Sequence, residues 1–260
     1  MISSYDLNSN KIEEFTLHSE LQVDDHNVPS ILVLPNRKLL AFYSEHNGHI
    51  FMRKSKMAEN INEWKNEIIL FEKDNKHRYC YVNPVMLSDE NNRIYLFGRN
   101  IVRNDKGNYS DTRTYCIYSD DLGRTWSEEL NILDNRSHND RQYVKITSDN
   151  KSRIDFLFTN GHPTYQENIS VFHMYYEKGD FKLTNGDHII PFSKKEPIKV
   201  EEVTKVHDTD RESTRAWIWD IALDGENKPV ITYTLYSSAT NHLYYHARWD
   251  GNGKNQSSQW

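Results

Sequence analysis

Apolar residues in this chain come in runs of four or five, separated by polar turns, and helical periodicity is nearly absent. Ile31-Leu32-Val33-Leu34 meets the turn Pro35-Asn36-Arg37-Lys38 and resumes as Leu39-Leu40-Ala41-Phe42-Tyr43. Pro84-Val85-Met86-Leu87 runs through Ser88–Asn92 into Arg93-Ile94-Tyr95-Leu96-Phe97. Tyr143-Val144-Lys145-Ile146 runs through Ser148–Lys151 into Ile154-Asp155-Phe156-Leu157-Phe158. Trp219-Asp220-Ile221-Ala222-Leu223 runs through Asp224–Lys228 into Pro229-Val230-Ile231-Thr232-Tyr233. Short apolar runs bounded by Asn, Asp, Gly and Lys read as strands joined by tight turns. A third strand follows three of the pairs, at Thr114–Tyr118, Ile169–His173 and Leu243–His246.

Phe42, Phe97, Leu157 and Thr232 hold equivalent places, 55, 60 and 75 residues apart. Antiparallel units recurring at that interval predict propeller blades with long loops. A β-sandwich is the competing architecture, but sandwiches rarely repeat internally. The expectation is therefore an all-β chain: a β-propeller of four-stranded antiparallel blades forming one domain over residues 1–260. About four blades are full and others partial. Ile2–Asp6 and Lys11–Leu17 form a hairpin like the outer half of a preceding blade. The chain stops after Trp249-Asp250-Gly251, where another blade should begin, and so reads as a fragment.

Composition agrees with sheets. Aromatics make up 12% of the chain, led by 16 Tyr, and such residues pack well on a pleated surface. They also suit sugar binding, because aromatic faces stack on pyranose C–H groups. The formal net charge is −6 and no basic stripe occurs, which argues against nucleic acid as a partner. A local Arg and His cluster can still hold an anionic substrate. No run of about 18 apolar residues occurs, so no membrane span is expected. The first residues, Met1–Tyr5, lack the charged and apolar regions of a secretion signal. Cys80 and Cys116 make no disulfide framework and are expected free and buried.

Ser119-Asp120-Asp121-Leu122-Gly123-Arg124-Thr125-Trp126 fits the Asp-box pattern S-x-D-x-G-x-T-W completely. Its Asp should accept turn N–H bonds, its Gly should take a positive φ and its Trp should pack under the turn. The motif marks a fold and says little about chemistry. Arg248-Trp249-Asp250-Gly251 is a weaker echo.

The 12 histidines carry no H-E-x-x-H spacing and the cysteines no C-x-x-C, so no metal and no cofactor is expected. His18, His77, His138, His188 and His207 sit in polar loop contexts. Two histidines stand out. His26, in Asp24-Asp25-His26-Asn27, enters the first repeat, and His46 leaves its second strand. Both could face one central pocket, or Asp25 and His26 could simply cap a turn. Equivalent rim positions hold Tyr79, Tyr81, Asn83, Arg99, Arg141, Tyr143, His162, Trp217 and Trp219. His, Tyr and Arg recur there and paired carboxylates do not, which argues against a two-carboxylate glycosidase. The set fits elimination from a uronic acid: a base, cations that stabilise the enolate, and an acid for the leaving oxygen.

Asp24-Asp25-His26-Asn27-x-Pro29, Tyr81-x-Asn83-Pro84-Val85, Ser119–Trp126, Thr159–Pro163 and Ala216–Asp220 together resemble the BNR-4-repeat proteins. That group includes seven-bladed ulvan lyases and related polysaccharide lyases. The resemblance implies His26 as base and Tyr81 as proton donor, with Tyr79 as the competing tyrosine. It implies His46 and Arg99 as charge neutralisers, with Tyr143 nearby. Asn27, Asn83, Arg141, His162, Trp217 and Trp219 are then expected to bind substrate, an anionic polysaccharide or oligosaccharide. Some members hold a structural zinc near the position of His162, but its cysteine ligands are not evident here. Relatives are secreted or periplasmic. Two other readings stay open. One is a non-catalytic carbohydrate-binding propeller. The other is a sialidase-like hydrolase, whose Arg-Ile-Pro motif is missing.

Overall fold

Residues 1–134, 141–164, 167–210, 214–238, 240–251 and 260 are described by a computed structural model. They hold twenty strands and short 3₁₀ turns, and among them there is no α-helix. None of their helices is long and apolar enough to cross a membrane. The chain divides into two compact units. The first comprises Met1–Met86, Asn91–Ser110 and Tyr115–Glu129; the second comprises Leu87–Glu90, Asp111–Thr114 and Leu130–Trp260.

In the first unit, β1 (Ile2–Asp6) and β2 (Lys11–Phe15) form the expected hairpin, with Ile2 opposite Phe15. Next come β3 (Ser30–Val33), β4 (Leu39–Ser44), β5 (Ile50–Lys54) and β6 (Ile68–Phe71), an antiparallel four-stranded sheet in chain order. β7 (His77–Leu87), β8 (Arg93–Arg103) and β9 (Tyr109–Ser119) lie side by side in a further sheet. β4 is buried on both faces. Leu40 and Phe42 enter a cluster with Leu34, Ile50, Ile94 and Tyr115, while Leu39, Ala41 and Tyr43 enter another with Leu17, Phe51 and Trp64. Strand alternation sends successive side chains to opposite faces, so a continuous apolar run means a strand covered on both sides. Cys80 and Cys116 are both free and buried.

The second unit holds β10 (Leu130–Asp134), β11 (Val144–Ser148), β12 (Arg153–Thr159), β13 (Val171–Glu177), β14 (Asp180–Leu183) and β15 (His188–Pro191). It continues with β16 (Ile198–Lys199), β17 (Thr204–His207), β18 (Ala216–Leu223), β19 (Pro229–Tyr236) and β20 (His242–Arg248). β11 to β15 run antiparallel in chain order, β17 adds to β13, and β18 to β20 form a three-stranded sheet. Its core joins Leu157, Val171, Ile218, Ile221, Ile231 and Leu235 among others.

All four expected hairpins are present, and each turn contains left-handed residues: Arg37, Asn91 with Asn92, Asn150, and Asn227. The first and last turns are the same device. Leu34 N–H donates to Lys38 O (2.8 Å) and Arg37 N–H to Leu34 O (2.8 Å). Asp224 N–H donates to Lys228 O (3.0 Å) and Asn227 N–H to Asp224 O (3.0 Å). Asn takes this conformation readily; Arg37 takes it at a cost. Some expected edges move. Tyr143 precedes its strand, and Ile169 makes only an isolated bridge, to Arg215. Trp219 does not open the last repeat but sits where the β18–β19 register slips between Ile218 and Asp220.

The Asp-box follows β9 and behaves as its pattern predicts. Arg124 N–H (2.9 Å) and Thr125 N–H (2.8 Å) donate to Asp121 Oδ1, and the Thr125 hydroxyl donates to Oδ2 (2.6 Å). Gly123 has φ +79°, and its N–H donates to Ser119 Oγ (2.9 Å). Trp126 meets Phe42 edge-on at 5.8 Å. The bonds from Thr125, Ser119 and Arg124 hold the Asp121 carboxyl well below its ordinary range.

Candidate active site

Four of the five expected catalytic residues come together in the first unit. The segment after β2 turns at Asp24, whose Oδ1 accepts the backbone N–H of His26 (2.9 Å). The same oxygen is hydrogen-bonded to His26 Nδ1, and Asp25 Oδ1 lies 2.8 Å from that nitrogen. The turn is therefore capped, but by Asp24 and not by the expected Asp25 and His26, and the cap also grips the imidazole. His46, in the loop after β4, places its own Nδ1 3.2 Å from Asp24 Oδ2. The two imidazoles stack, with centroids 4.1 Å apart and planes 20° apart.

Tyr81 and Arg99 complete the group from β7 and β8. The Tyr81 ring lies 5.8 Å from His26 and 6.1 Å from His46, centroid to centroid. Arg99 is buried and sets its guanidinium 4.5 Å above the Tyr81 ring. Tyr81 has φ +61° inside a strand, where an aromatic L-residue pays about 1–2 kcal/mol.

That backbone departure decides between the two tyrosines. A regular β7 would put Tyr79 and Tyr81 on one face. Instead Tyr79 and Val82 share the core cluster. Tyr79 is buried, stacks on Phe71 at 4.6 Å and donates its hydroxyl to Glu129 Oε2 (3.1 Å). Tyr79 is thus core, and Tyr81 is the ring beside the imidazoles. Asn83 supports the departure, its Nδ2 donating to Tyr81 O (2.8 Å). Asn27 Nδ2 donates to Gln22 O (2.5 Å), bracing the His26 loop.

Electrostatics separate the groups. The backbone N–H of His26, then the two imidazoles, hold Asp24 down at about 2, so it stays ionised. Burial, then His26 and Arg99, push His46 below its ordinary value against the pull of Asp24. His46 is therefore neutral near pH 7. Asp24, His26 and His46 are the one set of three or more His, Cys, Asp or Glu among the described residues that brings one ligand atom from each within 4.8 Å of the others. Hydrogen bonds between those same atoms account for their spacing.

The fifth expected catalytic residue, Tyr143, belongs to the second unit and packs there with two expected substrate-binding residues. Its ring is 5.3 Å from His162 and 4.6 Å from Trp217, and those two are 5.0 Å apart. Arg141 is half-buried two residues earlier. Trp219 is about half exposed and donates its indole N–H to Thr234. It lines an open cleft of about 520 Å³ with Thr232, Tyr233, Tyr244, Tyr245 and His246. Of the histidines expected in loops, His77 opens β7, His188 opens β15 and His207 closes β17, while His138 falls outside the described residues. Sequence reading did not single out Asp24 as part of the site, although an acid two residues before a histidine was a usable signal.

Small antiparallel sheets in repeated hairpins, punctuated by an Asp-box, define a β-propeller. The chain belongs to the BNR repeat-containing family, whose model matches residues 1–260. No curated protein matches significantly. Among solved structures, the chain is similar to an ulvan lyase of polysaccharide lyase family PL25 bound to -[GlcA(1-4)Rha3S]-. Identity is 16% and the TM-score 0.71, over 96% of this chain and 63% of that one. A second PL25 ulvan lyase structure gives 18% identity and TM-score 0.67, over 90% of this chain and 58% of that one. A GH93 α-L-arabinofuranosidase of Fusarium graminearum with arabinobiose gives 12% identity and TM-score 0.51, over 85% and 62%. The chain thus spans less than two thirds of the length of these structures, and what it shares with them is the fold.

Proposed function

We propose that this protein is a polysaccharide lyase that cleaves a uronic-acid-containing, ulvan-like chain by β-elimination. The observation that carries this is the meeting of His26, His46, Tyr81 and Arg99 around one point in the first unit. Elimination needs a neutral base, a cation for the carboxylate and an acid for the leaving oxygen. His26 takes the proton from the carbon beside the carboxylate; it is the more open ring, with its side chain 38% exposed against 25% for His46. The electron pair forms the ring double bond, the glycosidic C–O bond breaks, and the Tyr81 hydroxyl protonates the departing oxygen. Arg99 offers a planar fork to the carboxylate and stabilises the enolate. A neutral His46 adds no cation at neutral pH, so neutralisation falls mainly to Arg99. Within the second unit, the Tyr143, His162, Trp217 and Trp219 rings and the Arg141 guanidinium are proposed to contact sugar.

The test is incubation with ulvan and other uronate polysaccharides, following the ultraviolet absorbance of the unsaturated product. His26→Ala and Arg99→Ala should abolish it. Absence of that product from every uronate polysaccharide tried, with the protein folded, refutes the lyase reading. Binding of glycans without turnover would favour a carbohydrate-binding propeller, the reading that the open aromatic cleft at Trp219 supports.

A further inference from the structure

We infer that Asp24 is a positioning residue: one carboxylate that fixes both stacked imidazoles with Nδ1 protonated, leaving both Nε2 atoms open as bases. Asp24 lies in the motif that carries the family resemblance, but none of the roles which that resemblance implies above falls on it. Its catalytic consequence rests on the lyase reading above; its structural content does not.

The argument is one of donors and acceptors. An ionised carboxylate only accepts hydrogen bonds. Asp24 Oδ1 faces His26 Nδ1 and Oδ2 faces His46 Nδ1 at 3.2 Å. Asp25 Oδ1, 2.8 Å from His26 Nδ1, is a second acceptor on the same edge of that ring. Each Nδ1 must then carry the hydrogen, and a neutral imidazole with Nδ1–H has its lone pair on Nε2. The rings are nearly parallel, and both Nδ1 atoms face the one carboxylate. The other charged or titratable neighbours are Arg99, whose charge acts on His46, and the Tyr81 ring, which faces both imidazoles. Asp24 is the carboxylate that reaches both Nδ1 atoms. Asp24 itself is anchored by the His26 backbone N–H, so its orientation does not depend on the rings it holds.

Asp24→Asn separates positioning from turn capping. Asn caps a turn as Asp does, so the loop keeps its shape. Its amide offers one acceptor oxygen and turns an N–H₂ toward the other ring, which favours the wrong tautomer there. A substitution of that kind behind a catalytic histidine lowers kcat by orders of magnitude with geometry intact. The more exposed setting here predicts a fall on the order of 10²-fold in kcat with KM little changed.

The experiment is long-range ¹H–¹⁵N correlation of the histidine side chains near pH 8 on the full chain, with His26→Gln and His46→Gln to assign the signals. Wild type should show protonated Nδ1 and acceptor Nε2 at both residues. Asp24→Asn should shift at least one of them toward the Nε2–H form and lower kcat at unchanged KM. Nε2–H at either residue in wild type overturns the inference and needs no variant. Unchanged tautomers in Asp24→Asn overturn it too. If the tautomers respond as expected while wild type cleaves no uronate polysaccharide, the lyase reading fails and the positioning role of Asp24 stands.

Discussion

Asp155 is fully buried in β12, and replacing it should unfold the second unit's sheet far more readily than any surface change. Its carboxylate accepts Arg153 Nε (2.7 Å), Arg153 Nη2 (2.6 Å) and His173 Nε2 (3.0 Å). His173 is fully buried on β13, with Nδ1 2.8 Å from Thr184 Oγ1. The Arg153 guanidinium also lies 3.9 Å over the Tyr175 ring. Asp155→Asn keeps the shape but replaces one acceptor oxygen with a donor, which faces Arg153 Nε at one oxygen position and Arg153 Nη2 with His173 Nε2 at the other. Breaking a buried ion pair by removing one partner costs about 3–5 kcal/mol. At roughly 2–4 °C per kcal/mol for a chain of this size, Tm should fall by about 6–20 °C. Acidity supplies an internal check. Burial alone would raise the Asp155 pKa, yet His173 and Arg153 outweigh it and lower it, and burial lowers His173. Both groups therefore bind protons more readily in the unfolded chain, so their contribution is complete above the unfolded values of about 4 and 6.5 and declines as pH falls. Thermal melts followed by circular dichroism should show the gap between wild type and Asp155→Asn widest above about pH 7 and narrowing toward pH 4. A stability change under about 1 kcal/mol at pH 7 would refute the reasoning.

Tyr81→Phe keeps the ring under Arg99 and the same backbone strain, so melting should be unchanged while lyase turnover falls on the order of 10²–10⁴-fold by initial rates. Asp121→Ala removes the acceptor for four Asp-box donors; it should cost about 1–2 kcal/mol, the scale of a lost cap on an open turn, and leave turnover intact once the protein is folded. Gly98→Ala would place a Cβ 2.5 Å from the Tyr115 hydroxyl oxygen and 2.6 Å from ring carbons, and Tyr115 is fully buried, so about 3 kcal/mol should be lost in a urea melt.

The hairpins were legible because their turns rely on residues that suit them. Asn and Asp announce a reversal, and the apolar runs on either side have to be strands. Asn91, Asn150 and Asn227 all take the left-handed conformation that their side chains tolerate. Arg37 does the same without any such signal, because the hydrogen bonds of its turn impose it. The Trp219 slip was hidden for a related reason. Trp217 and Trp219 look equivalent by strand period, but a bulge breaks that period and nothing in the residue types marks it. The candidate site was legible as a set of residue types at repeated positions. Asp24 was not part of that set, since a carboxylate beside a turn satisfies a simpler reading that is also true here.

The position of Tyr81 shows why fold and site cannot be read separately. With ordinary strand geometry its ring would share the Tyr79 face, which the core cluster occupies. The positive φ frees it from that face and sets it beside two imidazoles and over a buried guanidinium. The cost is about 1–2 kcal/mol. The cation–π contact with Arg99 returns a comparable amount at a desolvated site, and the Asn83 side chain holds the displaced carbonyl. So the strain is local and is offset by the contacts around the ring. Arg99 steadies the tyrosine and, under the proposed lyase reading, would also meet the anion, so Arg99→Lys should impair both because a lysine ammonium lacks the flat face that lies over the ring.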